Sequence, residues 1–318
     1  MATTPKILIT GASGFIGANL LREALLGGCE VHAFLRKEAK DWRLSGIPKK
    51  FFSHEADITD RKGVYAAMQE IKPDYVFHLA AYGAYPAQKD QEVMVRTNIL
   101  GTMNLMDAAL EYGSKAFINT GSSSEYGQKS EPMRESDLLE PDILYAVTKA
   151  AGTHYGAMQG KAKNAPIATL RLFSVYGPFE EPGRLMPSIM IALARKGRLR
   201  LGSPDNVRDF VYVKDVCRAY FLAAEAASGG KIPGEIINIC SGTEAKVGGV
   251  VEAALRVSGA EVKPEWGESA PRPYEKKRWV GDGEKAKKLL GFRPEYNLEA
   301  GLRETYEWFR KYSDLYPS

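Results

Sequence analysis

The chain has 318 residues, 44% of them hydrophobic and 26% charged, with 43 basic against 39 acidic residues and three cysteines. This is the composition of a globular protein with room for two domains at roughly 150 residues each, or for one large α/β unit with a smaller partner. A net charge of +4 spread along the chain argues against a nucleic-acid binder. The widely spaced Cys29, Cys217 and Cys240 argue against a disulfide framework, and no run reaches the ~18 consecutive apolar residues of a membrane span. The first residues lack the apolar core of a signal peptide, so a cytoplasmic protein is expected.

In chain order, short apolar runs at 6–10, 30–35, 75–80, 115–120 and 167–172 read as buried strands. A further strand is expected just before Asp57. Between the strands, 15–26, 61–71, 92–111 and 145–160 read as amphipathic helices. Nearly continuous apolar strands alternating with helices imply a doubly wound parallel sheet, the Rossmann arrangement, with ligands outside the carboxyl ends of the strands. The rhythm breaks at Gly177-Pro178-Phe179-Glu180-Glu181-Pro182-Gly183. A helix at 185–196 and a short basic strand at 198–201 follow, and the sheet pattern resumes at 209–213 and 236–240. An irregular segment is expected at 269–277. This divides the chain into a large domain of residues 1–175 and 209–243, and a smaller discontinuous α/β domain of residues 176–208 and 244–318.

The first strand runs into Gly11-Ala12-Ser13-Gly14-Phe15-Ile16-Gly17 and then a helix. Glycines there permit a tight turn and let backbone N–H groups at a helix N-terminus approach a pyrophosphate. Gly11, Ser13, Gly14, Phe15, Ile16 and Gly17 are therefore cofactor candidates. The second strand ends Phe34-Leu35-Arg36-Lys37, where an NAD site usually carries an acid. Arg36 suits the 2′-phosphate of NADP, the alternative being a solvated surface charge. Asp57, followed by Ile58, either accepts from an adenine amino group or caps the next helix.

Tyr145 and Lys149 lie four apart on one predicted helix, following a strand that ends Thr120-Gly121-Ser122-Ser123-Ser124-Glu125-Tyr126-Gly127. A phenol of ordinary pKa ~10 becomes a usable proton donor or acceptor beside an ammonium. With Thr10–Gly17, His78-Leu79-Ala80-Ala81, Thr97-Asn98-Ile99-Leu100-Gly101-Thr102, Ser122–Gly127, Tyr145–Lys149, Arg171–Pro178, Arg208–Asp215 and Leu289-Leu290-Gly291-Phe292 in order, the chain resembles an extended short-chain dehydrogenase/reductase of the nucleotide-sugar epimerase, dehydratase and 4-ketoreductase group.

The resemblance implies that Tyr145 exchanges a proton with substrate and Lys149 holds the nicotinamide ribose. Ser122 would bond the reacting oxygen, with Ser123 as the alternative. Leu79, Ala80 and Ala81 would line the cofactor cleft, and Leu172 and Val175 would approach the nicotinamide. The large domain would hold NAD(P) and the smaller one the nucleotide sugar. Tyr82 and Tyr85 lie near the expected hexose site, Ser123 and Ser174 are further substrate candidates, and Arg184, Arg208 and Arg272 are candidates for gripping a diphosphate. Ser174 stands where many epimerases carry Asn.

The dehydratases of the group need an acid just after the catalytic Ser or Thr. Ser123 and Ser124 occupy those positions and Glu125 comes one residue late, so dehydration is disfavoured. Arg36 then tips the reading toward NADPH-dependent reduction of the C4 ketone of a nucleotide-linked 4-keto-6-deoxyhexose. The alternatives are an NAD-dependent UDP-sugar 4-epimerase and a non-catalytic NADP-binding regulator. His32, His54, His78 and His154 show no metal-ligand spacing with the cysteines, so no metal is expected. The resemblance further implies a homodimer through the 92–111 and 145–160 helices.

Overall fold

A computed structural model describes residues 4–37, 42–47, 50–267 and 278–316. In β1 (Lys6–Thr10), Ile7 and Ile9 enter one apolar layer and Leu8 the other, and all three are fully buried. Successive side chains of a strand point to opposite faces, so a sheet covered on both sides demands an unbroken apolar run. The chain continues through α1 (Phe15–Leu26), β2 (Glu30–Leu35), β3 (Phe52–Glu55), α2 (Arg61–Ile71), β4 (Tyr75–His78), α3 (Gln91–Val95), α4 (Thr102–Glu111), β5 (Ala116–Ser122), α5 (Leu144–Lys163) and β6 (Ile167–Leu172). Then come β7 (Ser174–Tyr176), α6 (Leu185–Arg195), β8 (Leu199–Leu201), β9 (Val207–Arg208), β10 (Phe210–Tyr212), α7 (Val213–Ser228) and β11 (Glu235–Ile239). The last elements are β12 (Ala245–Lys246), α8 (Val247–Ser258), β13 (Pro264–Trp266), β14 (Arg278–Trp279), α9 (Glu284–Leu290) and α10 (Leu298–Tyr312).

The main sheet has seven strands in the order β11-β6-β5-β4-β1-β2-β3, and every neighbouring pair is parallel. The order reverses between β1 and β4, which opens the crevice of a doubly wound Rossmann-like fold at their carboxyl ends. Three small sheets, β10-β7, β12-β9-β14 and β13-β8, lie apart from it. No helix among the described residues is long and apolar enough to cross a membrane.

Two expectations change. The 209–213 strand does not rejoin the main sheet: β10 pairs with β7. The cause is local, because the chain leaves β11 after Phe173, whose N–H bonds Ile239 O, and Ser174 N–H then turns to Asp209 O. The helix expected over 92–111 is also interrupted, by a wide π turn at Arg96–Gly101. There Gly101 lies so close to Ile58 that a Cβ would meet its Cδ1 at 2.7 Å. The segment 269–277 and Arg272 lie outside the described residues.

Candidate active site

The glycine turn is shaped by backbone approach. Gly11 has φ +70°, and a Cβ there would sit 2.7 Å from Ala80 N. A Cβ on Gly17 would sit 2.2 Å from Gly11 O, so only glycine lets α1 pack onto the turn. Gly14 caps α1 with no side-chain partner, and the first turn of the helix has no acid. An uncapped, acid-free helix N-terminus at the sheet's switch point fits a dinucleotide pyrophosphate, with Ser13, Phe15 and Ile16 half-buried along the turn. The side of the turn is braced by Arg43, which is 6% exposed; its Nη1 donates to Ser13 O at 3.4 Å and its Nε to Phe179 O at 2.7 Å.

Arg36 is exposed just past the end of β2. Asp57 Oδ1 accepts the Thr59 N–H at 2.8 Å, so it closes the turn before α2, whose N-cap is Asp60. Ile58 is buried against the π turn, and Leu79, Ala80 and Ala81 lie half-buried at the carboxyl end of β4.

A buried polar rod ties this cradle to α5. Ala80 N–H donates to Thr10 Oγ1 at 3.2 Å, which leaves that hydroxyl to donate to His78 Nδ1 at 2.7 Å. Thr102 Oγ1 donates to Asn98 O at 2.8 Å, so it accepts from His78 Nε2–H at 2.9 Å. Burial, helped by the charge of Lys149, holds the His78 imidazole down at about 3, so the ring is neutral with its proton on Nε2. The Asn98 amide then donates to Tyr82 O and Thr148 Oγ1, and Thr148 Oγ1 to Tyr145 O. Every polar atom named in this chain has a partner, which is what makes such a network stiff.

Ser122 ends β5 within hydrogen-bonding reach of Tyr145, and Lys149 follows Tyr145 by one turn of α5. Desolvation pushes the Tyr145 phenol up to about 12, while the charge of Arg184 and a hydrogen bond with Ser122 pull it back. Burial draws Lys149 down to about 8, and the Glu125 carboxylate opposes that fall. Lys149 is 4% exposed. Ser123 is turned the other way, 6% exposed, and its Oγ accepts the Trp279 indole N–H at 2.7 Å. Ser122 is therefore the hydroxyl brought to Tyr145. Glu125 faces the core: its Oε2 accepts Arg171 Nε at 2.8 Å, and the two side chains are 0% and 1% exposed.

On the opposite face of the cleft, Arg184 starts α6 and reaches Ala84 O at 3.3 Å, bridging to the loop after β4. Its guanidinium lies 5.8 Å from the Tyr85 ring. Arg208 is half-buried in β9, with Nη1 on Val207 O at 2.9 Å. Tyr82, Ser174 and Val175 are half-buried and Leu172 is 7% exposed. Glu180 is buried in the loop before α6, with Oε2 unpartnered, and desolvation raises its carboxyl to about 8.

Sequence reasoning missed the polar rod, the Arg43 brace and the pairing of Glu125 with Arg171. The last had a visible signal, a lone arginine inside the otherwise apolar run of β6.

The profile of the NAD dependent epimerase/dehydratase family matches residues 7–240. A probable dTDP-glucose 4,6-dehydratase of Sinorhizobium fredii is 28% identical, over 96% of this chain and 92% of its own length. The GDP-6-deoxy-D-mannose reductase of Pseudomonas aeruginosa is 28% identical over 94% and 95%. Among solved structures, the UDP-glucose 4-epimerase of Thermus thermophilus in complex with NAD superposes with a TM-score of 0.83 at 28% identity, covering 96% of this chain and 99% of that one. The match covers most of the chain, which therefore belongs to the NAD dependent epimerase/dehydratase family, the extended short-chain dehydrogenases/reductases that include nucleotide-sugar epimerases, dehydratases and reductases.

Proposed function

We propose that the protein is an NADPH-dependent sugar-nucleotide 4-ketoreductase acting on a nucleotide-linked 4-keto-6-deoxyhexose. The observation that carries the choice is the exposed Arg36 past Leu35 at the end of β2, where a 2′-phosphate finds a cation. Sequestration of Glu125 by Arg171 supports it, since elimination of water needs a free acid beside Ser122.

The glycine turn, Leu79–Ala81, Leu172 and Val175 hold the cofactor. When bound, reduced dinucleotide supplies the hydride that turns the C4 carbonyl carbon into a carbinol. Tyr145, protonated at neutral pH, gives its phenolic proton to the carbonyl oxygen. Ser122 donates a hydrogen bond to that same oxygen, and the Lys149 ammonium stabilises the phenolate left behind. Arg184, Arg208 and Arg272 grip the diphosphate, with Tyr82 and Ser174 around the sugar. Residues 1–175 and 209–243 act as the cofactor domain, and residues 176–208 and 244–318 as the substrate domain. Half-exposed Val95, Leu100 and Val147 on the α3–α4 and α5 segments support a homodimer, and three free cysteines support a cytoplasmic setting.

The test is cofactor consumption with nucleotide-linked 4-keto-6-deoxyhexoses. Tyr145→Phe is expected to lower turnover about 10²–10⁴-fold with cofactor binding intact, and Arg36→Ala to erase the preference for NADPH over NADH. The likeness to the Thermus epimerase favours a second reading, an NAD-dependent UDP-sugar 4-epimerase. Tightly held NAD and interconversion of UDP-sugars without net redox would establish that reading instead.

A further inference from the structure

Glu125 is a carboxylate that neither cofactor nor substrate binding accounts for. It is fully buried on the 3₁₀ turn after β5, and three elements share it. Its Oε1 accepts the Ser122 N–H at 2.8 Å and the Thr153 hydroxyl at 3.0 Å, and its Oε2 accepts Arg171 Nε at 2.8 Å. Tyr145, Lys149 and Thr153 follow one another at four-residue steps along α5, so their side chains line one face of the helix. The bond to Thr153 therefore seats Glu125 one turn from Lys149.

Two buried cations, Lys149 and Arg171, thus converge on a single carboxylate. The Arg171 guanidinium stacks 4.6 Å over the Tyr126 ring, and its Nη1 has no protein partner. His78 of β4 also feels the Lys149 charge and is neutral, and Tyr145 lies one turn before Lys149 on the same helix. Among the described residues, Glu125 is the carboxylate that acts on Lys149. Were Glu125 neutral, two like charges would share desolvated space, and lysine is the one able to shed its proton.

We propose that Glu125 is a positioning residue with two tasks, as the counter-ion that keeps Lys149 an ammonium and as the anchor that holds the Ser122 backbone beside Tyr145. This rests on the reading of Ser122, Tyr145 and Lys149 as the reacting set. One carboxylate against two cations leaves a single positive charge in excess.

The test reads Lys149 directly, by NMR titration of the cofactor-free protein with ¹³C-labelled lysine, the resonance being assigned with Lys149→Arg. Glu125→Gln is expected to lower the Lys149 midpoint by about one pH unit or more, since the opposing charge is gone. Arg171→Met removes the competing cation and is expected to raise it. The alkaline limb of the kcat/KM profile should move in the same two directions. A purely structural pair would weaken both variants without shifts of opposite sign. If Glu125→Gln does not accumulate as folded protein, the sign of the Arg171→Met shift decides. A Lys149 midpoint unchanged from the parent overturns the proposal whatever the activities. Full turnover in Tyr145→Phe would instead overturn the assignment of the reacting set, and the titration would still report on Glu125 and Lys149.

Discussion

On the side proposed to hold the cofactor, Thr10, His78, Thr102, Asn98 and Thr148 are buried, and each satisfies the next from β1 to α5. On the side proposed to take substrate, Arg184 is exposed at the start of a helix and Arg208 sits in a strand of two residues. The first face is fixed by desolvated hydrogen bonds that no rearrangement can improve. The second carries an exposed cation at a helix start, where replacement costs little stability, and a half-buried one in a short strand. Hydride and proton chemistry demands positions held to fractions of an ångström, whereas recognition of a sugar and its base can drift. Relatives equally similar in sequence carry out dehydration and reduction on different nucleotide sugars, as that division of labour allows.

The largest effect should come from breaking the stiff face. Alanine normally gains about 1 kcal/mol over glycine inside a helix. At Gly17, a Cβ 2.2 Å from Gly11 O reverses the sign, and Gly17→Ala should cost about 3 kcal/mol in denaturant unfolding together with dinucleotide binding.

His78→Gln should follow, at about 1–3 kcal/mol, since it takes one hydrogen bond from each of two buried threonine hydroxyls. His78 also gives a pH signature. Its folded-state value near 3 lies below the ordinary 6.5, so unfolded chains bind the extra proton first. Stability is then fully present above about pH 6.5 and falls as pH drops toward 3, by about 1.4 kcal/mol per unit for this one group. The glutamine variant should show a correspondingly shallower acid slope in urea unfolding.

Lys149→Met should move stability and activity in opposite directions. Burial lowers the lysine from 10.5 to about 8, which means its charge is held at neutral pH against desolvation. Removing that charge is expected to raise stability by on the order of 2 kcal/mol, measured by thermal unfolding, while hydride transfer is lost. Arg184→Ala probes the adjustable face and should be mildest: unfolding changes by less than about 0.5 kcal/mol, while the KM for substrate rises about tenfold, the equivalent of one charge-assisted contact. Tyr145 should then titrate still higher, since the Arg184 charge is one of the forces holding it down.

The same contrast sets what could be read beforehand. The bounds of β1, α1, β2, α2 and β6 follow from apolar periodicity, because each strand feeds two dry layers and each helix covers one. The place of Tyr145 and Lys149 one turn apart on a helix was legible from their spacing, and that of Ser122 at a strand end from the family resemblance. The polar rod was not, because Thr10, His78 and Asn98 stand at strand ends and in a helix interruption, where polar residues ordinarily meet water. The π turn has no signature of its own in the sequence; it follows from tertiary bonds to Tyr82 and Thr148. The pairing of β7 with β10 likewise depends on Asp209, whose buried carboxylate gathers the Ser241, Gly242 and Gly281 N–H groups from distant segments.

The hydrogen bond from the Trp279 indole to Ser123 gives the protein a built-in optical probe. The indole belongs to β14 in the small three-stranded sheet, and its partner directly follows Ser122 in the chain. Any event that shifts the serine turn against that small sheet alters the donor's environment, and so the wavelength and yield of its emission. Ligand arrival that moves the serine turn can therefore be timed by stopped-flow fluorescence without a label, with Trp279→Phe identifying which indole reports.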